Sequence, residues 1–505
     1  MASKCSQSLS ASGSAATAPP EGADDPSSTS PPGDAADYDS SDDSDYVYLP
    51  KGRDYILGRE DASGEEFELD ALEPSAFEWR AEDNVPKRFE FSACPGVNAT
   101  HLHRRSTPFQ IYSDFFTPEL MDHLVRETNR YYHQRHPSSA ARTWHDTSRE
   151  ELYAYFGLQL LIVLQKSLSM ESDFFFDEFQ DPLFRSSTFS DTMPLERFIL
   201  LSENLHAVDN NATHSAHDRL WKLRPVVDEL NRQFSSVYTP PQGLIVDECL
   251  WRFRRDGEVF GVKAYRLCVR DGAAPGYTSA LGIYAGEHEA DVPAPGRVVV
   301  DLMAAADLFG KGYELFTDSW YTSPALFRFL QGQQTNAVGT VSSRRKHMPT
   351  DLKKIRGEVV VRSTPTGILC LRWCRDRHIT MLSTVHDSEI VDDKSRLGFT
   401  VPKVVSDSRL AMKRARQYDP LDPPIPAVPE AISWYKRVLI YLLQVAAANA
   451  FFVHGALGGK KTRYHFNRQL VVELIREFTG KEPQARGRRA SASGPPSERR
   501  RQPLV

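Results

Sequence analysis

The feature that most constrains this chain is a hydrophobic period that changes and then changes back. Apolar residues recur at helical spacing from about residue 105 to 235, at strand spacing from about 243 to 400, and at helical spacing again from about 408 to 478. One element cannot satisfy both a 3.6-residue and a 2-residue period, so the middle predicts a sheet and its flanks predict helices. In the first flank Thr117-Pro118-Glu119 opens a helix carrying Leu120, Met121, Leu124 and Val125. Thr147-Ser148-Arg149-Glu150 fits a capping box before an apolar helix reaching Leu164, and 193–204 and 218–235 predict two more. Strands are expected at Leu244-Ile245-Val246, 264–269 and 278–284, with shorter ones at 298–302 and 313–316 and a helix at 325–331. Short strands at 357–362, 367–373 and 379–384 read as an all-β insertion. Helices then return at 408–417, at 433–454 (closed by Gly455) and at 467–478.

Charge divides the chain further. The net charge of −6 conceals an N-terminal stretch, 1–50, with nine acids against Lys4, and a C-terminal stretch, 481–505, with seven bases against Glu482 and Glu498. Residues 1–50 hold almost no large aliphatics and cannot bury enough apolar surface to offset their ordering entropy. The expected organisation is therefore a disordered acidic tail (1–50), an extended lead-in (51–104) and a helical region (105–240). An α/β core (241–345) follows, then the β-rich insertion (346–400), a second core piece (401–422), a C-terminal helical region (423–480) and a disordered basic tail (481–505). A composition of 40% hydrophobic and 25% charged residues is that of a globular protein. Six cysteines in 505 residues make no disulfide framework, and the close pair Cys370 and Cys374 is half of a zinc site at best. The most apolar stretches, 438–453 and 153–164, fall short of the roughly 20 residues a bilayer requires, and no apolar stretch of signal-peptide length opens the chain. No membrane and no small-molecule substrate is expected.

Three acids follow apolar runs. Val246-Asp247-Glu248 ends the first strand, Leu315-Phe316-Thr317-Asp318-Ser319 ends a later one, and Tyr418-Asp419-Pro420-Leu421-Asp422 lies beyond the insertion. Brought together, three carboxylates would suit two Mg²⁺ ions, hard cations that take oxygen ligands and stabilise the attacking and leaving oxygens of a phosphoryl transfer. Singly, acids at strand ends usually close turns or cap helices, and no periodicity joins the three. The basic residues near them, Lys263 and Arg266 on one strand and Arg344-Arg345-Lys346 after another, read alone as solvated turns or as phosphate contacts.

The wording of these segments resembles the piggyBac transposase family over roughly residues 105–480. Residues Leu244-Ile245-Val246-Asp247-Glu248 look like its first acidic strand, and Phe260-Gly261-Val262-Lys263-Ala264-Tyr265 is similar to its G-x-K-x-Y/W strand. The run Phe316-Thr317-Asp318-Ser319-Trp320-Tyr321-Thr322-Ser323 matches the T-D-N-[FW]-[FY]-T-S motif, the most specific element. Val338-Gly339-Thr340-Val341, the pair Trp373-Cys374-Arg375-Asp376 and Leu382-Ser383-Thr384, and Ala448-Asn449-Ala450 resemble three further motifs.

The resemblance implies an RNase H-like core with a β-rich insertion, flanked by helical dimerisation and DNA-binding segments. It implies a nuclear homodimer that acts on double-stranded DNA by cut-and-paste transposition at TTAA sites. Carried over by motif, Asp247, Asp318 and Asp419 would be catalytic and would hold Mg²⁺ or Mn²⁺, with Asp422 a fourth acid near the metals. Lys263, Arg266, Arg344, Arg345 and Lys346 would contact DNA. Two departures favour a domesticated derivative that binds DNA or chromatin without cutting. The D-x-x-D spacing survives at Asp419 and Asp422 without the family's glycines, and arginine clusters stand where a Cys/His-rich zinc module often ends these proteins. An interaction scaffold using the acidic tail is a third reading.

Overall fold

A computed structural model of the chain describes residues 77–137, 144–165, 187–214, 218, 220–255, 258–284, 295–352, 357–374, 378–393, 398–417 and 433–480. All belong to one compact unit, Asp45–Val505; a second unit, Met1–Ser44, lies outside the described residues, as do the C-terminal tail and the segment holding Asp419 and Asp422.

A two-residue strand β1 (Gly96–Val97) leads into α1 (Pro108–Tyr112) and α2 (Pro118–Arg135). Thr107 and Gln110 form a capping box on α1, and Thr117 caps α2 by accepting from the Leu120 amide, with Pro118 in the first turn. Helix α3 (Arg149–Gln165) is capped one residue later than the sequence implies: Ser148 Oγ accepts from the Glu151 amide at 3.2 Å. The cause is Glu151 itself, whose carboxylate turns inward to Arg197 (2.7 Å) and Thr147 (2.7 Å). Burial pushes the Glu151 carboxyl up, but these hydrogen bonds outweigh it and hold it below the usual range. After α4 (Ser187–Thr192) and α5 (Leu195–Asn204), helix α6 (Arg224–Val237) starts later than expected, since Asp218 holds the Arg224 guanidinium at 2.5 Å across a turn and proline occupies the first helical turn. Strand β2 (Tyr238–Thr239) then pairs with β1.

The sheet begins with a meander of β3 (Gly243–Arg255), β4 (Glu258–Val269) and β5 (Thr278–Tyr284). Residues 298–302, read as a strand, lie in helix α7 (Pro295–Ala305). Their valines misled because a short apolar run has no decisive period, and the buried positions Val298, Val299, Leu302 and Met303 make a helical stripe packed on β4 and β5. Strand β6 (Glu314–Thr317) pairs parallel with β3, and after α8 (Pro324–Gly332) strand β7 (Asn336–Thr340) pairs parallel with β6. Strands β8 (Val359–Ser363), β9 (Leu369–Cys374) and β10 (His378–Ser383) form no separate module. They continue the same sheet, in the order β5-β4-β3-β6-β7-β10-β9-β8. The first five are an RNase H-like core. A hairpin of β11 (Ile390–Asp392) and β12 (Thr400–Pro402) leads into α9 (Lys403–Gln417), whose Val404, Val405 and Ala411 cover one face of the sheet over Ile245, Phe316 and Val338. Helices α7 and α8 cover the other face, over Leu244 and Val246.

The chain closes with α10 (Trp434–Ala456) and α11 (Arg463–Thr479), which share one core with the first helical region. At 23 residues α10 exceeds the apolar stretch read from sequence and is long and apolar enough to cross a membrane, yet 89% of its most apolar window is buried inside the protein. It is the central strut of the helical core. Two asparagines join that core to the sheet. Asn449 of α10 accepts from the Thr278 amide (2.8 Å) and donates to the Thr278 carbonyl (2.9 Å), while Asn231 of α6 does the same to Leu281 (2.8 Å each). Strand β5 is an edge, and these side chains satisfy its outward backbone groups as a further strand would. Asn449→Leu removes both partners of Thr278 at a fully buried position and should cost about 2–4 kcal/mol in urea unfolding, since each stranded group costs roughly 1–3 kcal/mol. A loss below about 1 kcal/mol would contradict the clamp.

Candidate active site

Strand register brings the first two acids together. Ile245 pairs with Phe316 across the parallel β3–β6 ladder. Asp247 lies two residues further along β3, and Asp318 is the first residue after β6, near enough for the charges of Glu248 and Asp247 to act on its carboxyl. Asp318 begins the turn after β6, where its carboxylate accepts from the Trp320 amide at 2.9 Å. Burial pushes the Asp318 carboxyl above the usual range; the Trp320 and Tyr321 amides oppose this, and the charges of Glu248 and, less strongly, Asp247 add to it.

Each residue of the Asp318 motif has a structural reason. Thr317 and Thr322 are buried and hydrogen-bond to each other at 2.8 Å, and Thr322 Oγ1 also donates to the Asp318 carbonyl at 2.6 Å. Tyr321 is buried beneath the turn, its ring 6.2 Å from that of Tyr265. Ser323 caps α8 and Pro324 starts it. Gly339 on β7 is required because a Cβ there would lie 2.3 Å from Thr322 Oγ1, 2.6 Å from Thr317 Oγ1 and 2.8 Å from the Thr317 carbonyl oxygen. Arg345 braces the turn from outside, its Nη2 donating to the Trp320 carbonyl at 2.6 Å and the Ser319 carbonyl at 3.3 Å.

The basic residues divide between interior and surface. Arg266, opposite Asp247 in the β3–β4 ladder, is buried and places Nη2 2.5 Å from Asp247 Oδ2. Lys263 pairs with Glu248 at 3.0 Å and lies over the Trp320 ring. Both are turned inward, and the sequence expectation of a phosphate contact does not agree with the burial of Arg266. Arg344 and Lys346 are exposed beside the Asp318 turn. Asp419 and Asp422 lie outside the described residues. Among the described residues no group of three or more His, Cys, Asp or Glu side chains is arranged to hold a metal ion. The carboxylates of Asp247 and Asp318 are hard oxygen donors, of the kind that suit a divalent ion such as Mg²⁺.

Glu248 and Tyr321 were passed over in the sequence as motif neighbours, although the Asp247-Glu248 pair marked where to look. A second constellation, Ser383, His386 and Asp407, has triad-like contacts (2.8 and 3.1 Å), but Ser383 is fully buried and no substrate can reach it. It fastens α9 to the end of β10, and the His386 hydrogen bond holds the Asp407 carboxyl low.

Two tests follow from this geometry. Gly339→Ala should destabilise by about 1–3 kcal/mol through overpacking and should be partly relieved when Thr322→Ala is added, as double-mutant unfolding would detect. Strict additivity would contradict the contact. Asp318 has a folded pKa above its unfolded one, so the native state binds more protons and stability falls as pH rises through the folded value. In metal-free buffer at pH 7, Asp318→Asn should therefore raise Tm, and the gain should vanish below about pH 4. A variant less stable at pH 7 would contradict the assignment.

Comparison with known proteins agrees with the geometry. Residues 107–451 match the family model described as Transposase IS4. The human PiggyBac transposable element-derived protein 2 is 23% identical over 378 residues, covering 69% of this chain, which spans only 61% of that protein's length. The human PiggyBac transposable element-derived protein 5 is 22% identical over 461 residues, covering 82% of this chain and 84% of that protein. The cryo-EM structure of a piggyBac transposase synaptic complex with hairpin DNA superposes with a TM-score of 0.63 at 21% identity, over 76% of this chain and 83% of that one, a likeness of fold. With more than half of its length matched, this chain belongs to the Transposase IS4 family and, within it, to the piggyBac transposases and the proteins derived from them.

Proposed function

We propose that this protein acts on double-stranded DNA in the nucleus, as a homodimer, by piggyBac-type strand cleavage and transfer at TTAA sites. The observation that supports the reading is that Asp247 on β3 and Asp318, just after the adjoining parallel strand β6, lie near enough for their charges to interact. Asp247, Asp318 and a third carboxylate from Asp419, with Asp422 beside it, would hold Mg²⁺ or Mn²⁺. When bound, such ions stabilise charge on the reacting phosphate and make water a better nucleophile.

The chain's own residues supply position. The Thr317–Thr322 bond, the Trp320 amide and Arg345 fix the Asp318 turn, so its carboxylate is oriented before DNA arrives. Arg344 and Lys346, exposed beside that turn, would position the DNA backbone without reading its sequence. The joint core of the first and last helical regions would carry dimerisation and recognition of the transposon ends. The arginines of 486–489 and 499–501 suit nuclear import.

A second reading, a domesticated DNA-binding derivative that does not cut, is favoured by one observation, the ion pair of Asp247 with buried Arg266. Cleavage of linear DNA bearing TTAA-flanked inverted repeats, in Mg²⁺ or Mn²⁺, separates the two. Under the first reading the wild type nicks and joins ends, whereas Asp247→Asn and Asp318→Asn bind the DNA in a mobility-shift assay but do not cleave it. Binding by all three proteins with cleavage by none would support the domesticated reading.

A further inference from the structure

Arg266 has an environment unusual for a cation in a candidate metal site. It stands directly across from Asp247 in the antiparallel β3–β4 ladder, so the two side chains emerge on the same face. Its side chain is 1% exposed, and its Nη2 lies 2.5 Å from Asp247 Oδ2, while the carboxylate keeps 28% exposure. A guanidinium cannot discharge itself at any pH a protein survives, so burying it demands an anion, and Asp247 supplies one. Glu248 has its own cation, Lys263 at 3.0 Å. Asp318 makes no such ion pair among the described residues and is satisfied by the backbone of its turn.

A divalent ion shared by Asp247 and Asp318 would need lone pairs of the same Asp247 carboxylate. It would also bring two further positive charges toward a fixed one whose guanidinium is itself shielded from water. We propose that Arg266 is a resident counter-ion that competes with divalent metal for Asp247. The site is thereby charge-balanced and folded without metal, and metal binds by taking the carboxylate from the guanidinium. Arg266 is in this sense a positioning residue that sets metal affinity. The inference rests on the reading of Asp247 and Asp318 as metal ligands.

The test is Mn²⁺ binding by the full chain, followed by electron paramagnetic resonance and by the Mn²⁺-dependent rise in Tm. Arg266→Met keeps much of the side-chain bulk and removes the charge. It should bind Mn²⁺ at least roughly tenfold more tightly than the wild type, equivalent to about 1.4 kcal/mol, and Asp318→Asn added to it should abolish the gain. Equal affinity of wild type and Arg266→Met, with both losing Mn²⁺ on Asp318→Asn, would overturn the proposal and leave the metal-site reading intact. Mn²⁺ binding indifferent to Asp318→Asn in every background would overturn both.

Should Arg266→Met fail to fold, melting in metal-free buffer decides. Asp247→Asn, which deprives the buried guanidinium of its carboxylate, should melt several degrees below the wild type, while Asp318→Asn should melt no lower than the wild type. Equal effects of the two substitutions would refute the counter-ion role.

Discussion

The parallel pairing of β3 with β6, and of β6 with β7, is the constraint on which the rest of the site depends. Strand side chains alternate faces, so a slip of one residue would send Phe316 to the side of α7 and α8 and shift the Asp318 turn that follows it. Two packing conditions pin the register. Ile245, Phe316 and Val338 must reach the apolar face of α9, and the Thr317–Thr322 pair must fit against a β7 position that has no side chain. The glycine at 339 and the threonines around Asp318 are therefore one device, although they stand on different strands.

The helical regions solve a second problem, the open edge of the sheet. Strand β5 would expose backbone groups to any passing strand, and Asn231 and Asn449 occupy them from two helices distant in sequence. Those bonds tie the core sheet to α6 and, through Asn449, to the apolar helix α10. A helix apolar on nearly every side is stable in water only when surrounded, and the first helical region and α11 surround it. Asn449, fully buried on that helix, is satisfied by the two backbone groups of Thr278.

Much of this was legible in the sequence where local chemistry and tertiary need coincide. The Thr317–Ser323 run spells out a strand end, a turn and a helix cap, and each letter has its place in the structure. Strand positions 264–269 and 278–284 were readable because their apolar runs are bounded by turn residues. Legibility ended where a distant residue decided the outcome. Arg197 draws Glu151 inward and moves the α3 cap by one residue, and the sheet face beneath α7 turns a valine run into a helix. The strands of 346–400 read as an all-β insertion, and nothing local to them reveals that β10 pairs with β7. The burial of Arg266 was equally hidden, since an arginine on a strand is ordinarily a surface residue, and only the register with Asp247 explains it.

On the proposed reading, Asp247 and Asp318 would hold a divalent ion with which Arg266 competes for Asp247. Anomalous diffraction from crystals equilibrated with saturating Mn²⁺ tests it most directly. A manganese peak between the two carboxylates, with the Arg266 guanidinium drawn away from Asp247, is the predicted result. An intact Asp247–Arg266 pair and no manganese beside Asp318 would contradict the account.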